Sequence, residues 1–144
     1  MSTLHAAPML EPVVNNFVVK FANVNGSGSA SANNMFAKAI FRMGIPVSPR
    51  NIFPSNIQGA PTWYEVRISE AGYLGRRGGP VELMVSVNPQ SMAQDVLEVC
   101  PGGYFFYDNS YPLDFQLIRD DIHYIGLPLT DITNSHFADP RQRQ

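Results

Sequence analysis

Between Asn23 and Ala32 the chain reads Asn23-Val24-Asn25-Gly26-Ser27-Gly28-Ser29-Ala30-Ser31-Ala32, glycines and serines set between an apolar run and a helical pattern. The run before it, Phe17-Val18-Val19-Lys20-Phe21-Ala22, reads as a strand, and Asn33-Asn34-Met35-Phe36-Ala37-Lys38-Ala39-Ile40 reads as a helix. Strand, glycine turn, helix is how an α/β protein builds an anion-binding corner. Glycine turns the backbone through positive φ, and free amides at the helix start point at whatever sits there. The spacing G-x-G-x-x-S lacks the third glycine of a dinucleotide fingerprint. No acidic residue follows at the ribose-binding distance of ~20 residues, where Ser48, Pro49 and Arg50 stand. The motif is a strong βα corner and a weak dinucleotide site.

At 144 residues and 44% hydrophobic composition the chain suffices for one domain with a core and is too short for two. Charged residues make up 15%, against the ~25% of an ordinary soluble domain. With nine Phe, six Tyr and one Trp, so thin a charge cover is that of a surface partly buried against a partner. A net charge of −2 offers no field to nucleic acid or to an anionic membrane. Cys100 is the only cysteine. It leaves no intrachain disulfide, no cysteine-ligated zinc site and no four-cysteine iron–sulfur cluster, and it points to a reducing, cytoplasmic compartment. Standing before Pro101-Gly102-Gly103, it reads as a strand-edge or turn thiol. No apolar run approaches the ~20 residues that span a bilayer. Residues 1–15 read as a flexible lead-in, without the basic and apolar regions of a signal peptide.

The rest of the chain alternates strand and helix patterns. The first strand runs from Phe17 to Val24, apolar except at Lys20, as expected where both faces are covered. A helix from about Ser31 to Met43 carries Met35, Phe36, Ala39, Ile40 and Met43 as a buried stripe, with Gly44 at C′. Ile45-Pro46-Val47 returns as a short strand, and Pro49 to Pro61 reads as a loop with few groups free to join a ladder. Strands follow at Trp63–Ser69 and Val81–Val87, separated by a glycine-rich turn that holds Arg76 and Arg77. A short helix from Ser91 to Val99 precedes strands at Tyr104–Asp108 and Ile122–Leu127, and Thr130–Asn134 opens a helix or turn. This order implies a three-layer α/β/α sandwich with a mostly parallel, Rossmann-like sheet.

Catalytic groups are scarce. His5, His123 and His136 have no metal-ligand spacing, and His123 sits inside a strand pattern. Asp120 and Asp121 suit turn hydrogen bonds, and Glu65 and Arg67 share a strand face where they are positioned to pair. Arg76-Arg77 is a candidate anion grip, although such pairs are usually solvated. The loop Phe53–Tyr64 differs in kind. It interleaves Ser55, Asn56, Gln58 and Thr62 with prolines, and a stiff polar loop docks against a ligand or another domain at small entropic cost.

Together Asn25–Ser31, Ala37-Lys38-Ala39, Met43–Val47, Phe53–Gly59 and Glu65–Ser69 resemble the gamma domain of 2-oxoacid:ferredoxin (acceptor) oxidoreductases, as at the N-terminus of the bacterial alpha subunit. The resemblance runs from about residue 16 to 134 and divides the chain into a flexible segment, 1–15, and a gamma-type domain, 16–144. It implies part of an enzyme that oxidatively decarboxylates a 2-oxoacid to an acyl-CoA and passes electrons to ferredoxin. Thiamine diphosphate with Mg and a 4Fe-4S cluster then belong to partner domains or subunits of the same enzyme, and this chain alone is inactive. Coenzyme A approaches the border of the active site, with Gly26, Ser27, Gly28 and Ser29 at the corner and Ser55, Asn56 and Gln58 in the docking loop. Nothing in the chain is assigned a catalytic or metal-binding role.

Two departures qualify the resemblance. Ser29 and Ser31 stand where many members have glycine, which hinders a close backbone approach to phosphate. The chain also stops where helices are expected, so the resemblance implies a sandwich lacking its C-terminal helices, with an apolar sheet face exposed. The alternative is a stand-alone nucleotide- or CoA-binding α/β module without catalysis.

Overall fold

The apolar run before the corner becomes β1 (Asn16–Asn23), and the sheet is organised about it. The computed structural model describes residues 11–24, 26–53, 61–75 and 81–142. After β1 come α1 (Ser29–Arg42), β2 (Val47–Ile52), β3 (Thr62–Ser69), β4 (Val81–Ser86), α2 (Met92–Glu98), β5 (Val99–Asp108), β6 (His123–Leu127) and α3 (Leu129–His136). Six strands form one sheet in the order β2-β3-β1-β4-β5-β6. β1 pairs antiparallel with β3, with Val19 opposite Val66, and parallel with β4, with Val19 opposite Leu83. β2 runs antiparallel to β3, while β5 and β6 continue in parallel, so β3 alone opposes the common direction.

Period-two alternation puts consecutive β1 residues on opposite faces. Val18 joins Met84, Val96, Val99 and Phe105 beneath α2. Val19 joins Ala37, Tyr64, Val66 and Ile68 beneath α1. With one helix on each face, the molecule is the three-layer, mostly parallel α/β sandwich expected from the alternation of elements.

Several local expectations are corrected. The α1 residues that face the sheet are Asn33 and Ala37, helped by Ile40, whereas Met35 and Met43 are exposed. The apolar stripe therefore lies largely on the outer side of the helix. Pro49 to Ile52, read as loop, extends β2, because on an edge strand the missing proline N–H costs no ladder bond. β5 begins directly after α2 and absorbs Cys100 to Gly103 as an irregularity: β4 advances from Val81 to Leu83 while β5 advances from Val99 to Tyr104. A Cβ on Gly103 would lie 2.8 Å from the Cys100 carbonyl oxygen, so the close approach requires glycine there. Glu65 pairs with Arg50 rather than Arg67, whose guanidinium instead donates to the Phe17 and Ile68 carbonyls and to Asn16 Oδ1. Opposite register on neighbouring strands brings Arg50 nearer to Glu65 than its neighbour two residues along. Asp121 grips Arg119 rather than a turn amide, and Arg119 in turn caps α2 through the Val96 carbonyl at 2.7 Å.

The first half of the chain supplies β1–β3 and the second supplies β4–β6, so the halves meet in the sheet only along β1 and β4. Polar side chains cross this seam. Lys20, 6% exposed, bonds Glu98 and lies 5.1 Å above the Trp63 ring. Trp63 Nε1 donates to Asp95 at 2.7 Å, and Asn88 Nδ2 donates to the Asn23 carbonyl at 2.9 Å. Asp95 is fully buried and also accepts from Ser86 Oγ and Ser91 Oγ, at 2.7 and 2.8 Å. Burial pushes its carboxyl above the ordinary range and outweighs the three donors, which pull it down.

On the α1 side, the sheet beyond β1 keeps Leu83, Val85 and Phe106 half-buried and Ile125 39% exposed. An incompletely covered apolar face is thus present among the described residues.

Removing the Asp95 acceptor strands three buried donors at once. Asp95→Ala is expected to cost about 3 kcal/mol or more in urea denaturation, and Trp63→Phe, which deletes one donor, about 1 kcal/mol. A loss under ~0.5 kcal/mol for Asp95→Ala, the size of an ordinary surface substitution, would contradict this account of the seam.

Candidate functional site

β1 and β4 lie side by side and run in the same direction, yet the chain leaves them in opposite directions. From β1 it passes through α1 towards β2 and β3; from β4 it passes through α2 to β5. In an open α/β sheet, the crevice outside the carboxyl ends of two such strands is the usual ligand position, because the loops part there. The Gly26–Ser29 corner stands at this switch point.

Its geometry follows from the glycines. Gly26 and Gly28 have φ of 78° and 73°, with nothing within 4 Å of where a Cβ would be, so they are required by conformation and not by crowding. Gly28 is the N-cap of α1 and offers no side chain to the helix amides. Ser27 Oγ donates to the Val24 carbonyl at 2.7 Å and lies 3.0 Å from Ser29 Oγ, which locks the turn. Ser31 N is bonded to the Gly28 carbonyl, whereas Ser29 N and Ala30 N have no acceptor among the described residues. The positive end of a fourteen-residue helix therefore presents two amides, a set suited to an anion.

Three asparagines that sequence reasoning missed support the corner from behind. Asn33 Nδ2, from within α1, donates to Asn23 Oδ1 at 2.8 Å, and Asn88 ties the same residue to the β4 side through its carbonyl. Asn88 Oδ1 accepts from Gln90 N at 3.0 Å, closing the turn into α2. The Asn88-Pro89 turn and the i, i+4 spacing of Ser91 and Asp95 were the available signals for this side. For Asn33, a polar residue on the buried face of a helix, only its distance in space from Asn23 reveals the role.

Of the other sequence candidates, Ser55, Asn56 and Gln58, with Arg76 and Arg77, lie outside the described residues. His123 lies in β6, stacked on Tyr104 at 4.9 Å between centroids, as a sheet residue. Cys100 is a half-buried strand thiol. Among the described residues no three His, Cys, Asp or Glu side chains gather to hold a metal, and no helix is long and apolar enough to cross a membrane.

A second polar centre sits along the same edge. Asp108, the last residue of β5, accepts from Thr130 N at 3.1 Å, Thr130 Oγ1 at 2.5 Å and Ser110 N at 3.0 Å, and so holds the start of α3. Burial raises its carboxyl, but the bonds from Thr130 and Ser110 together outweigh that and hold it below the ordinary range.

Two measurements check these readings. Gly28→Ala forces a side chain into the left-handed region and is expected to cost about 1–2 kcal/mol without any clash, read by urea denaturation. A group with a depressed folded pKa contributes stability above its unfolded value, about 4, that is lost as pH falls through the lower folded value. Hydrogen exchange at the Thr130 amide is therefore expected to accelerate as pH falls below about 4, relative to the intrinsic rate. Asp108→Asn is expected to remove that step, and an unchanged profile would refute the role of the carboxylate.

The pyruvate ferredoxin/flavodoxin oxidoreductase family matches residues 18–143. No curated protein matches the chain by sequence. Among solved structures, the 2-oxoglutarate:ferredoxin oxidoreductase of Magnetococcus marinus, determined with 2-oxoglutarate, coenzyme A and succinyl-CoA bound, superposes with a TM-score of 0.72 at 23% identity. That likeness covers 85% of this chain and 22% of the other. The gamma subunit of a keto/oxoacid ferredoxin oxidoreductase from Geobacter sulfurreducens gives 0.66 at 14% identity, over 82% of this chain and 64% of that one. Subunit PORC of the pyruvate oxidoreductase from Thermotoga maritima gives 0.64 at 18%, over 90% and 71%. The structural likenesses, all below 25% identity, establish a shared fold, and the match along residues 18–143 establishes the kinship: the chain belongs to the pyruvate ferredoxin/flavodoxin oxidoreductase family.

Proposed function

We propose that this chain serves as the gamma-type domain of a cytoplasmic 2-oxoacid:ferredoxin oxidoreductase, the part that meets coenzyme A. The observation that carries the reading is the family match over nearly the whole chain, joined to a glycine corner at the switch point of the sheet whose Ser29 and Ala30 amides have no acceptor among the described residues. One of the structural relatives was determined with coenzyme A and succinyl-CoA. The enzyme as a whole would convert a 2-oxoacid to its acyl-CoA and deliver two electrons to ferredoxin, with thiamine diphosphate, Mg and iron–sulfur clusters held by partner domains. A single cysteine in the sequence fits the assignment of the cluster elsewhere.

The residues present fit a phosphate group. Ser29 N and Ala30 N would donate to its oxygens, and the helix dipole favours the charge. The departures from glycine at Ser29 and Ser31 are compatible with this arrangement, since both lie within α1, where no residue needs positive φ, and the Ser29 amide has no acceptor among the described residues. Ser55, Asn56 and Gln58 would complete the border from the docking loop. Coenzyme A supplies the thiol that accepts the acyl group, and this chain's part is to orient and retain it. The apolar residues left exposed on α1, Met35 and Met43, give partner domains a surface to cover.

The test is reconstitution. Alone, the chain is expected to show no turnover; joined to the thiamine-binding and cluster-bearing parts, it should support CoA-dependent reduction of ferredoxin by a 2-oxoacid. In that assembly Gly28→Val is expected to raise the KM for coenzyme A by about tenfold or more, the worth of lost charge-assisted bonds, and to leave the KM for the 2-oxoacid unchanged. Turnover by the isolated chain would overturn the proposal. Tight CoA binding by the isolated chain, without any gain of activity on reconstitution, would favour the stand-alone module.

A further inference from the structure

The sheet ends in two edges of different character, β2 on one side and β6 on the other. We propose that the β6 edge is an association surface, on which a second copy of the chain adds its own β6 antiparallel, across a two-fold axis at Ile125.

The backbone of β6 specifies what can sit there. Asn109 N, just past the end of β5, donates to the Leu127 carbonyl at 3.0 Å, so Leu127 directs its backbone groups towards β5. Successive residues of a strand direct these groups to alternate sides. His123 and Ile125 therefore share the direction of Leu127, while Tyr124 and Gly126 turn their N–H and C=O outward. β6 is paired with β5 alone, and these four outward groups have no partner among the described residues. Two donors and two acceptors in a row, at strand spacing, are the complement of another extended strand.

The two edges also differ in what guards them. Proline and charge are the devices by which edge strands discourage pairing. β2 carries both, as Pro49 and Arg50. β6, His123-Tyr124-Ile125-Gly126-Leu127, carries no proline and no Lys, Arg, Asp or Glu. Its Ile125 and Leu127 side chains are 39% and 44% exposed.

A second copy satisfies this edge in one register. A two-fold axis at Ile125 sets Tyr124 of each copy opposite Gly126 of the other. Each such pair exchanges two N–H···O bonds, so every outward group on both copies is used. Ile125 meets its own counterpart in the close, non-hydrogen-bonded position, and His123 meets Leu127, so no like charges face each other. Moving the axis to Tyr124 would set Gly126 opposite Ile122, which lies outside β6, and bonds would be lost. Association stops at two copies, because pairing uses both β6 edges and leaves the guarded β2 edges outermost. β4 and β5 stand between β6 and the corner strand β1, so the inference is independent of the coenzyme A reading.

The experiment is sedimentation equilibrium on the chain, joined to disulfide trapping in a Cys100→Ser background. A five-residue ladder is a small interface, so the mean mass is expected to climb from the monomer value towards twice that value between about 1 μM and 1 mM. Ile125→Lys sets two ammonium groups face to face and is expected to weaken association at least about tenfold. Asn51→Lys, at an exposed position of the β2 edge, is expected to leave it unchanged. Under mild oxidation Ile125→Cys is expected to link the two copies, since Cα atoms in a non-hydrogen-bonded pair lie about 4.5 Å apart, within reach of a disulfide. Leu127→Cys, four residues along the ladder from its counterpart, is expected not to link them. A mean mass that stays at the monomer value to 1 mM, or that passes twice that value, would overturn the proposal. So would Ile125→Lys associating like the wild type, Asn51→Lys weakening association equally, or Leu127→Cys linking as efficiently as Ile125→Cys.

Discussion

The pairing of β1 with β4 is the constraint from which the rest of the molecule follows. Every strand before residue 70 lies on one side of it and every strand after residue 80 on the other. A seam between two halves of a chain needs more than ladder hydrogen bonds, because apolar packing on either face is shared with only one helix. Here it is crossed by Lys20–Glu98, by Trp63–Asp95 and by Asn88–Asn23. These bonds are directional. They hold one register between the halves where nonpolar contact would tolerate slippage.

The same seam creates the site. Because the strands are parallel and their continuations diverge, a crevice opens at their carboxyl ends, and the residues that weld the seam also form its floor. Asn23 is the clearest case. Its side chain accepts from Asn33 in α1, and its carbonyl accepts from Asn88 before α2, so it fixes the turns on both sides of the crevice. Stability and site geometry are therefore coupled at a few polar residues, and a substitution there should disturb both.

Much of this was legible in the sequence. Strand β1, the glycine corner, the C′ glycine after α1 and the alternation of elements follow from period and turn chemistry that act over a few residues. The outer face of α1 was not legible. Met35 and Met43 satisfy the apolar spacing of a core stripe, yet Asn33 and Ala37 face the sheet, since a small residue allows close approach and an asparagine meets the β1 terminus. Periodicity identifies an amphipathic helix without saying which apolar patch meets this sheet and which is left open. Pro49 misled for a related reason: a proline breaks a ladder only on the side where a partner strand lies, and edge position is a property of topology. The polar cluster at Asp95 draws on residues 63, 86, 91 and 95, from three elements. Local pattern cannot assemble it.

The distribution of charge along the carboxyl edge bears on how such a domain is used. At the corner, the dipole of α1 and the Ser29 and Ala30 amides, which have no acceptor among the described residues, favour an anion, and no ion pair among the described residues stands there to be displaced. At the other end, Asp108 keeps its charge because neutral donors from Ser110 and Thr130 stabilise it. A domain that presented two saturated ion pairs along this edge would meet ligand or partner only by breaking them. Here the corner after β1 and Asp108 at the end of β5, on either side of β4, are each held in shape by hydrogen bonds within the domain, and no ion pair has to be broken to reach them.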